Sequence, residues 1–482
     1  MKYALTMSAS ALALALAAPA MAQLSPGLAD CVGGSNNCSD IDQTGNNDVA
    51  TVTQIGSRGV SDIDQAGTGA KNTATVKQTG TSSSDANESL IAQTAGSEGN
   101  VASVTQEGSG NLSDVLQAGD NSTITVLQEG MSNSSQVVQF DGTSANSSAT
   151  INQNGSSNVS DVAQLAASST VLVNQGQDDG LASSGNRSFV GQTAAFSNVT
   201  VAQDGIDNES DVYQLTGAAS VNVTQWGTEN RSTVLQAGLL STVDVNQWGT
   251  SNVSRVGQIA IGSVVDVDQD GAGNDAIVGQ LSAGTVAKVV QNGTGNDAAV
   301  GQLGVGDLDY FSDPTYLEND ASDNFFADIE QINARNSLVA GQLGVDNELT
   351  VRQTGSNNSA GERWSSVGIA QIGELQKASL YQGGDSNSST IYQGLGDGGV
   401  SFDNTAVVTQ DGDGGESFLA QNGSGNSATL TQHDGGNSNY SSIIQAGTDN
   451  SAIVDQYSSS NSSFVNQSGS GNSATVTQGA GT

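Results

Sequence analysis

The sequence predicts an all-β chain, an amyloid-like β-solenoid of about 18 stacked strand-turn-strand rungs of about 22 residues each. Three features predict it: a glutamine that returns every 11 residues, a two-residue alternation of apolar and polar side chains ahead of each glutamine, and a near-absence of proline.

The glutamine series starts at Gln43, Gln54 and Gln65 and ends at Gln456, Gln467 and Gln478. It holds 36 members, and 26 of its 35 intervals are 11 residues. Most exceptions are longer by two to seven residues, which turns between strands are expected to absorb. Ahead of each marker the side chains alternate, as in Ala50-Thr51-Val52-Thr53-Gln54 and Ala474-Thr475-Val476-Thr477-Gln478, so Ala, Val and Gln share one face of a short strand. Glycines two residues past many markers supply turns. Alternate units differ. Odd units carry Ser four residues before the marker, as at Ser61, Ser113, Ser160 and Ser210, whereas even units favour Thr-x-Val-x-Gln-x-Gly or Ala-x-Val-x-Gln-x-Gly. The repeat is therefore two strands long.

One such rung cannot bury its inner face or pair its backbone edges, so stacking has to supply the partners. Inward glutamines, serines and asparagines are then expected to hydrogen-bond to their equivalents above and below; a buried glutamine without that ladder would cost about 1–3 kcal/mol. The ladder is expected to include Gln43, Gln54, Gln65, Gln78, Gln203, Gln214, Gln225, Gln236, Gln432, Gln456, Gln467 and Gln478. Proline would break it, and only Pro314 of the three prolines lies beyond residue 30.

Domain boundaries follow from composition. Lys2, the apolar run from Ala4 to Ala18 and the small residues around Ala20 and Ala22 predict a secretory signal over 1–22. Residues 23–38 form an N-terminal segment, 39–302 the first block of repeats, 303–330 an acidic aromatic insertion around Pro314, and 331–482 the second block. Beyond the signal no run reaches the roughly 18 apolar residues of a membrane helix, so no transmembrane segment is expected.

Composition excludes several function classes. A net charge of −37 with 12 Lys and Arg excludes a nucleic-acid binder. Aromatic content of 4% argues against a large globular core. The single histidine, His433, leaves no Ser-His-Asp arrangement and no zinc site, so neither an enzyme nor a metal or cofactor protein is expected. Asp268-Gln269-Asp270-Gly271 and Asp411-Gly412-Asp413-Gly414 open like calcium loops but have no Glu at the twelfth position. They read as acidic turns.

The Ser-x-x-x-Gln-x-Gly units and the Asn-x-Ala-x-Val-x-Gln-x-Gly units, such as Asn472-Ser473-Ala474-Thr475-Val476-Thr477-Gln478, resemble curlin repeats from about Ser39 onward. The resemblance implies an exported subunit of curli fibres in the biofilm matrix, localised to the cell exterior. Its implied partners are further copies of itself, other curlin-like subunits or a nucleator, and an outer-membrane secretion pore. Two departures stand out: the repeats are many, and residues 23–38 do not match the family's secretion-targeting stretch, which leaves nucleator and major subunit both open.

Other residues invite functional readings. Cys31 and Cys38 are spaced to close a small disulfide loop in an oxidising compartment. Trp226 and Trp248 each follow an even marker 22 residues apart, which predicts stacking, with a protein- or glycan-binding stripe as the alternative. Outward threonine pairs such as Thr51 with Thr53 suggest an ice-binding face, but Asp62, Asp64, Lys77, Leu116 and Leu127 at equivalent positions break the row. The leading expectation is a polymerising structural subunit with an open C-terminal rung; the competing one is a monomeric, surface-displayed β-solenoid adhesin.

Overall fold

The computed structural model describes residues 36–66, 71–80, 85–94, 98–140, 146–165, 167–176, 183–304, 326–361, 368–394, 401–433, 435 and 437–479. The signal sequence expected over 1–22, Cys31 and Pro314 lie outside them. The chain divides into two compact units, 1–240 and 241–482, each a β-solenoid. Among the described residues every regular element is a β-strand, and each strand pairs in parallel with the next but one along the chain. Odd strands, ending at Gln43, Gln65 and every second marker, thus form one sheet of each unit and even strands the other. Ser359–Ala360 and Ile369–Glu374 are two pieces of one odd strand, so the 37 strands make 36 rung halves, 18 rungs and about 17 turns of chain.

Register follows the markers without a slip. Ser148–Ser156 pairs with Thr170–Gln175 so that Gln153 meets Gln175, and Val159–Gln164 pairs with Arg187–Gln192 so that Gln164 meets Gln192. A one-residue shift would turn the buried set outward. In Ser148–Ser156 the residues Ala149, Ile151 and Gln153 are buried while Ser148, Thr150 and Asn152 face out. Each buried valine or isoleucine of such a strand contributes about 1.5–3 kcal/mol relative to exposure.

The two corners of a rung differ. From Gly56 to Gly293 the corner after most even markers swings wide through a glycine at left-handed φ, 119° at Gly271 and 128° at Gly293. A Cβ on Gly271 would stand 1.9 Å from the Gly293 carbonyl oxygen, so the stacked arc needs glycine for space as well as for φ. The opposite corner is compact and closes on serines, with Ser263 N–H donating to Ser241 Oγ at 3.2 Å.

Four sequence expectations need correction. The insertion is narrower than 303–330, because Asp297–Gly304 and Phe326–Ala334 are strands whose apolar alternation continues the core, leaving 305–325 outside the described residues. Extra residues do not always fall between strands: 362–367 interrupt an odd strand between Ala360 and Ile369, both of whose pieces still pair with Ser337–Val345. Cys38, placed in the N-terminal segment, instead opens the strand Cys38–Gln43. Gln-x-Gly also does not stay with even units. Beyond residue 337 the left-handed arc moves to odd markers, at Gly344, Gly373, Gly423, Gly447 and Gly469.

Candidate functional site

The sequence-marked glutamines form two buried columns in each unit. In the first unit, Gln43 Nε2 donates to Gln65 Oε1 at 2.6 Å, Gln54 to Gln78 at 2.9 Å, Gln203 to Gln225 at 2.8 Å and Gln214 to Gln236 at 2.9 Å. In the second, Gln432 donates to Gln456 at 3.0 Å, Gln445 to Gln467 at 2.8 Å and Gln456 to Gln478 at 2.8 Å. The second amide hydrogen reaches a backbone carbonyl of the facing sheet, as from Gln203 to Arg187 O at 2.9 Å and from Gln456 to Tyr440 O at 3.0 Å. A carboxamide is suited to this place because it donates twice and accepts, tying the rung above and the opposite sheet at once. Every ladder bond runs the same way, from the N-terminal rung to the C-terminal one.

Asparagine does the same work at the corners, as expected of inward asparagines. Asn133 N–H donates to Asn111 Oδ1 at 3.1 Å while Asn133 Nδ2 donates to Gly155 O at 3.2 Å. The signal was present: Asn stands five residues after many even markers, at Asn111, Asn133, Asn208 and Asn230. The inward serines of odd strands behave differently. Ser160, Ser188, Ser210, Ser232 and Ser254 are buried with no hydrogen-bond partner for Oγ, whereas one rung apart Ser135 Oγ reaches Ser113 Oγ at 3.3 Å and Ser417 Oγ reaches Ser389 Oγ at 2.8 Å.

The outer faces carry charge. Burial holds the carboxyls of Asp114, Asp161 and Asp211 above their ordinary range, opposed by a hydrogen bond from Gln136 at Asp114 and by Arg187 at the other two. Asp266 is raised by burial, then by Asp268 and, more weakly, Asp244, against the opposing Lys288. Cations bridge adjacent rungs, as in Arg255–Asp275 at 3.1 Å and Arg352–Glu330 at 2.8 Å. These pairs are solvated and each contributes at most about 1 kcal/mol.

Trp226 lies outward on Ser220–Thr228 of the first unit and Trp248 outward on Thr242–Thr250 of the second, 37% and 49% exposed. His433 stacks on Tyr457 at 4.0 Å between ring centroids, with Asp455 3.9 Å from Nε2. Asp62, Asp64 and Leu116 sit on odd strands, whereas Thr51, Thr53 and Thr75 sit on even ones, so those three do not interrupt the threonine row. Lys77 and Leu127 do, on even strands. Among the described residues no cluster of His, Cys, Asp or Glu is arranged to hold a metal ion, and no helix is long and apolar enough to cross a membrane.

The end strands are the most exposed parts of the ladder. Cys38–Gln43 and Val49–Ile55 pair on one side only among the described residues, as do Ser462–Ser470 and Ser473–Gln478. What the two ends offer is complementary: outward-pointing amide hydrogens at Gln467 and Gln478, and carboxamide oxygens at Gln43 and Gln54 that accept no hydrogen bond among the described residues.

No curated protein matches the chain. The curlin associated repeat family model matches residues 98–140, 403–433 and 447–479. These stretches include Val101–Ser109 with Leu112–Gln117, and Ser462–Ser470 with Ser473–Gln478, each an ordinary odd-even pair of the ladder. The 22-residue rung, the glutamine columns and the family match agree: the chain carries curlin associated repeats in three stretches, and they are built like the rest of its ladder.

Proposed function

We propose that this chain is a non-enzymatic structural subunit of an extracellular curli-like fibre, built by templated head-to-tail stacking and contributing to biofilm matrix and cell adhesion. The observation that carries the reading is the one-way ladder with matching ends. The C-terminal strand and the second strand of the chain share the sequence Ala-Thr-Val-Thr-Gln, at 474–478 and 50–54. Laying one on the other in register sets Gln478 Nε2 against Gln54 Oε1 of the next copy, and Gln467 against Gln43. Each junction then repeats the bond that Gln456 makes to Gln478 within the chain. Open edges of this kind are what soluble repeat proteins cap to avoid joining.

In this reading an outer-membrane pore exports the chain, and a nucleator or a curlin-like subunit starts the stack. Dilution of residues 23–482 from denaturant, followed by thioflavin fluorescence and electron microscopy with and without seeds, tests it. Seedable fibres are expected. A soluble β-rich monomer that never fibrillises would reject the reading in favour of the displayed adhesin.

A further inference from the structure

One outer face of the second unit departs from its acidic surroundings. On the odd strands between Val253 and Gly344, the outward residue before each marker is glycine: Gly257, Gly279, Gly301 and Gly341. The outward residue after each marker is Ile259, Leu281, Leu303 or Leu343, and the first three are 54%, 36% and 44% exposed. Two residues before the glycines stand Ile277, Ala299 and Val339. Register sets like on like, Gly279 on Gly301, Gly301 on Gly341 and Leu303 on Leu343. A Cβ at Gly341 would meet nothing within 4 Å, and one at Gly301 only Ala340 O at 3.9 Å. The face is therefore an exposed aliphatic ridge beside an open trough, the two about 7 Å apart at roughly 3.3 Å per residue.

Charge singles out the same face. The even strands of these rungs turn Asp244, Asp266, Asp268, Asp328 and Glu330 outward. Ridge and trough carry no carboxylate; Arg255, at their edge, is bridged to Asp275, and Asp297 stands at the margin. In a chain of net charge −37, this is a surface on which two copies can approach without carboxylate repulsion.

We propose that this face mates with the same face of a second copy in a neighbouring fibre. A two-fold axis along the stacking direction sets each ridge over the partner's trough, and because both repeat once per rung, every tooth enters its gap together, as in a steric zipper. A partner without the rung spacing of about 4.8 Å would match one tooth and miss the next. Four rungs cover about 19 Å by 13 Å, roughly 250 Å² per copy, far below the 1,200 Å² or so of a stable pair. Single chains therefore stay apart, while fibres, which present the patch once per subunit, adhere by multivalency. The inference rests on the fibre reading.

The test is electron microscopy of fibres grown from the chain and from two double variants, Gly301→Glu with Gly341→Glu and Leu303→Ser with Leu343→Ser, with thioflavin elongation rates and sedimentation of the soluble chain alongside. Wild-type fibres are expected to pair laterally, both variants to elongate at the wild-type rate as single fibres, and the soluble chain to be monomeric. Bundling unchanged in the glutamate variant overturns the proposal. Dispersal by glutamate with bundling intact in the serine variant also overturns it, since charge rather than ridge-and-trough fit would then govern contact. Single wild-type fibres assign the face to another occupant, such as an apolar peptide, and no fibres at all overturn the fibre reading and this inference with it.

Discussion

Within the second unit, the rungs before residues 305–325 and those after them share a core and differ at the corners. The ladder passes through unchanged, with Gln291 donating to Gln331 at 2.9 Å and Gln302 to Gln342 at 2.9 Å despite the added chain. The corners trade places: the glycine arc follows even markers through Gly293 and odd markers from Gly344, and the rung between carries a long strand on both sides, Phe326–Ala334 and Ser337–Val345. Inward glutamines and parallel register thus define the rung, while either corner accepts either turn. Among the described residues of this unit, Asp266, whose carboxyl burial raises above its ordinary range, lies on the earlier side.

If the ladder is the shared element, breaking it costs the same on both sides. Gln269→Leu and Gln410→Leu each orphan the neighbouring carboxamides and a facing carbonyl, at Val253 and Ser388. A loss of about 3–6 kcal/mol is expected for each, measured by hydrogen exchange of the flanking rungs. A cost confined to one side would mean that the blocks are held differently.

The corners predict a smaller effect that changes place. Gly271→Ala before the swap and Gly447→Ala after it each push a Cβ to within 2.0 Å of the next glycine's carbonyl oxygen. Each is expected to destabilise by about 2–4 kcal/mol. Gly262→Ala, at the compact corner with open space, costs about 1 kcal/mol for its left-handed φ alone. Equal losses at Gly262 and Gly271, read by the same exchange experiment, would remove the distinction between corners.

The buried serines sharpen the comparison with the opposite sign. Ser254 Oγ has no partner, and the next two rungs hold Ala276 and Ala298 at its position. Ser254→Ala is expected to stabilise by about 1 kcal/mol in a denaturant midpoint, by relieving an unmet hydroxyl. A loss of stability would show that the hydroxyl has a partner.

Acid should act where burial raises a carboxyl. A carboxyl raised in the folded state, as Asp266 is, stabilises fully below its unfolded value near 3.8 and loses that contribution as pH rises through the folded value. Exchange protection around Val264–Ala272 is therefore expected to rise modestly as pH falls from neutral toward 4, and Asp266→Asn to flatten the response. A uniform response would trace the effect to net charge instead.

Much of this was legible in the sequence, for a physical reason: stacking requires identical residues at identical spacing, so the ladder is written as the 11-residue return of glutamine. Face identity followed less well. Period two separates Thr51 from Val52, but it does not say that Leu116 lies on the other sheet, which needs the odd-even alternation as well. The 18-residue step from Gln353 to Gln371 reveals seven extra residues without locating them in mid-strand, because Gly361 and Gly368 let the chain leave and return at one point. The corner swap hid behind the long interval before Gln331, after which Gln-x-Gly reads the same in either unit. The ridge and trough hid because each element, a Gly-Gln-Leu, is unremarked until register stacks it.

The one-way ladder also has an electrical meaning. Each side-chain amide carries a dipole comparable to that of a peptide unit, about 3.5 D, and in every column they add head to tail instead of cancelling as strand dipoles do. Each stack is therefore polar along its axis, positive at the end that presents Gln467 and Gln478. An incoming chain of charge −37 is drawn to that end and held off the other. Growth from such a stack would be vectorial, with the amide columns acting as a compass for the next subunit.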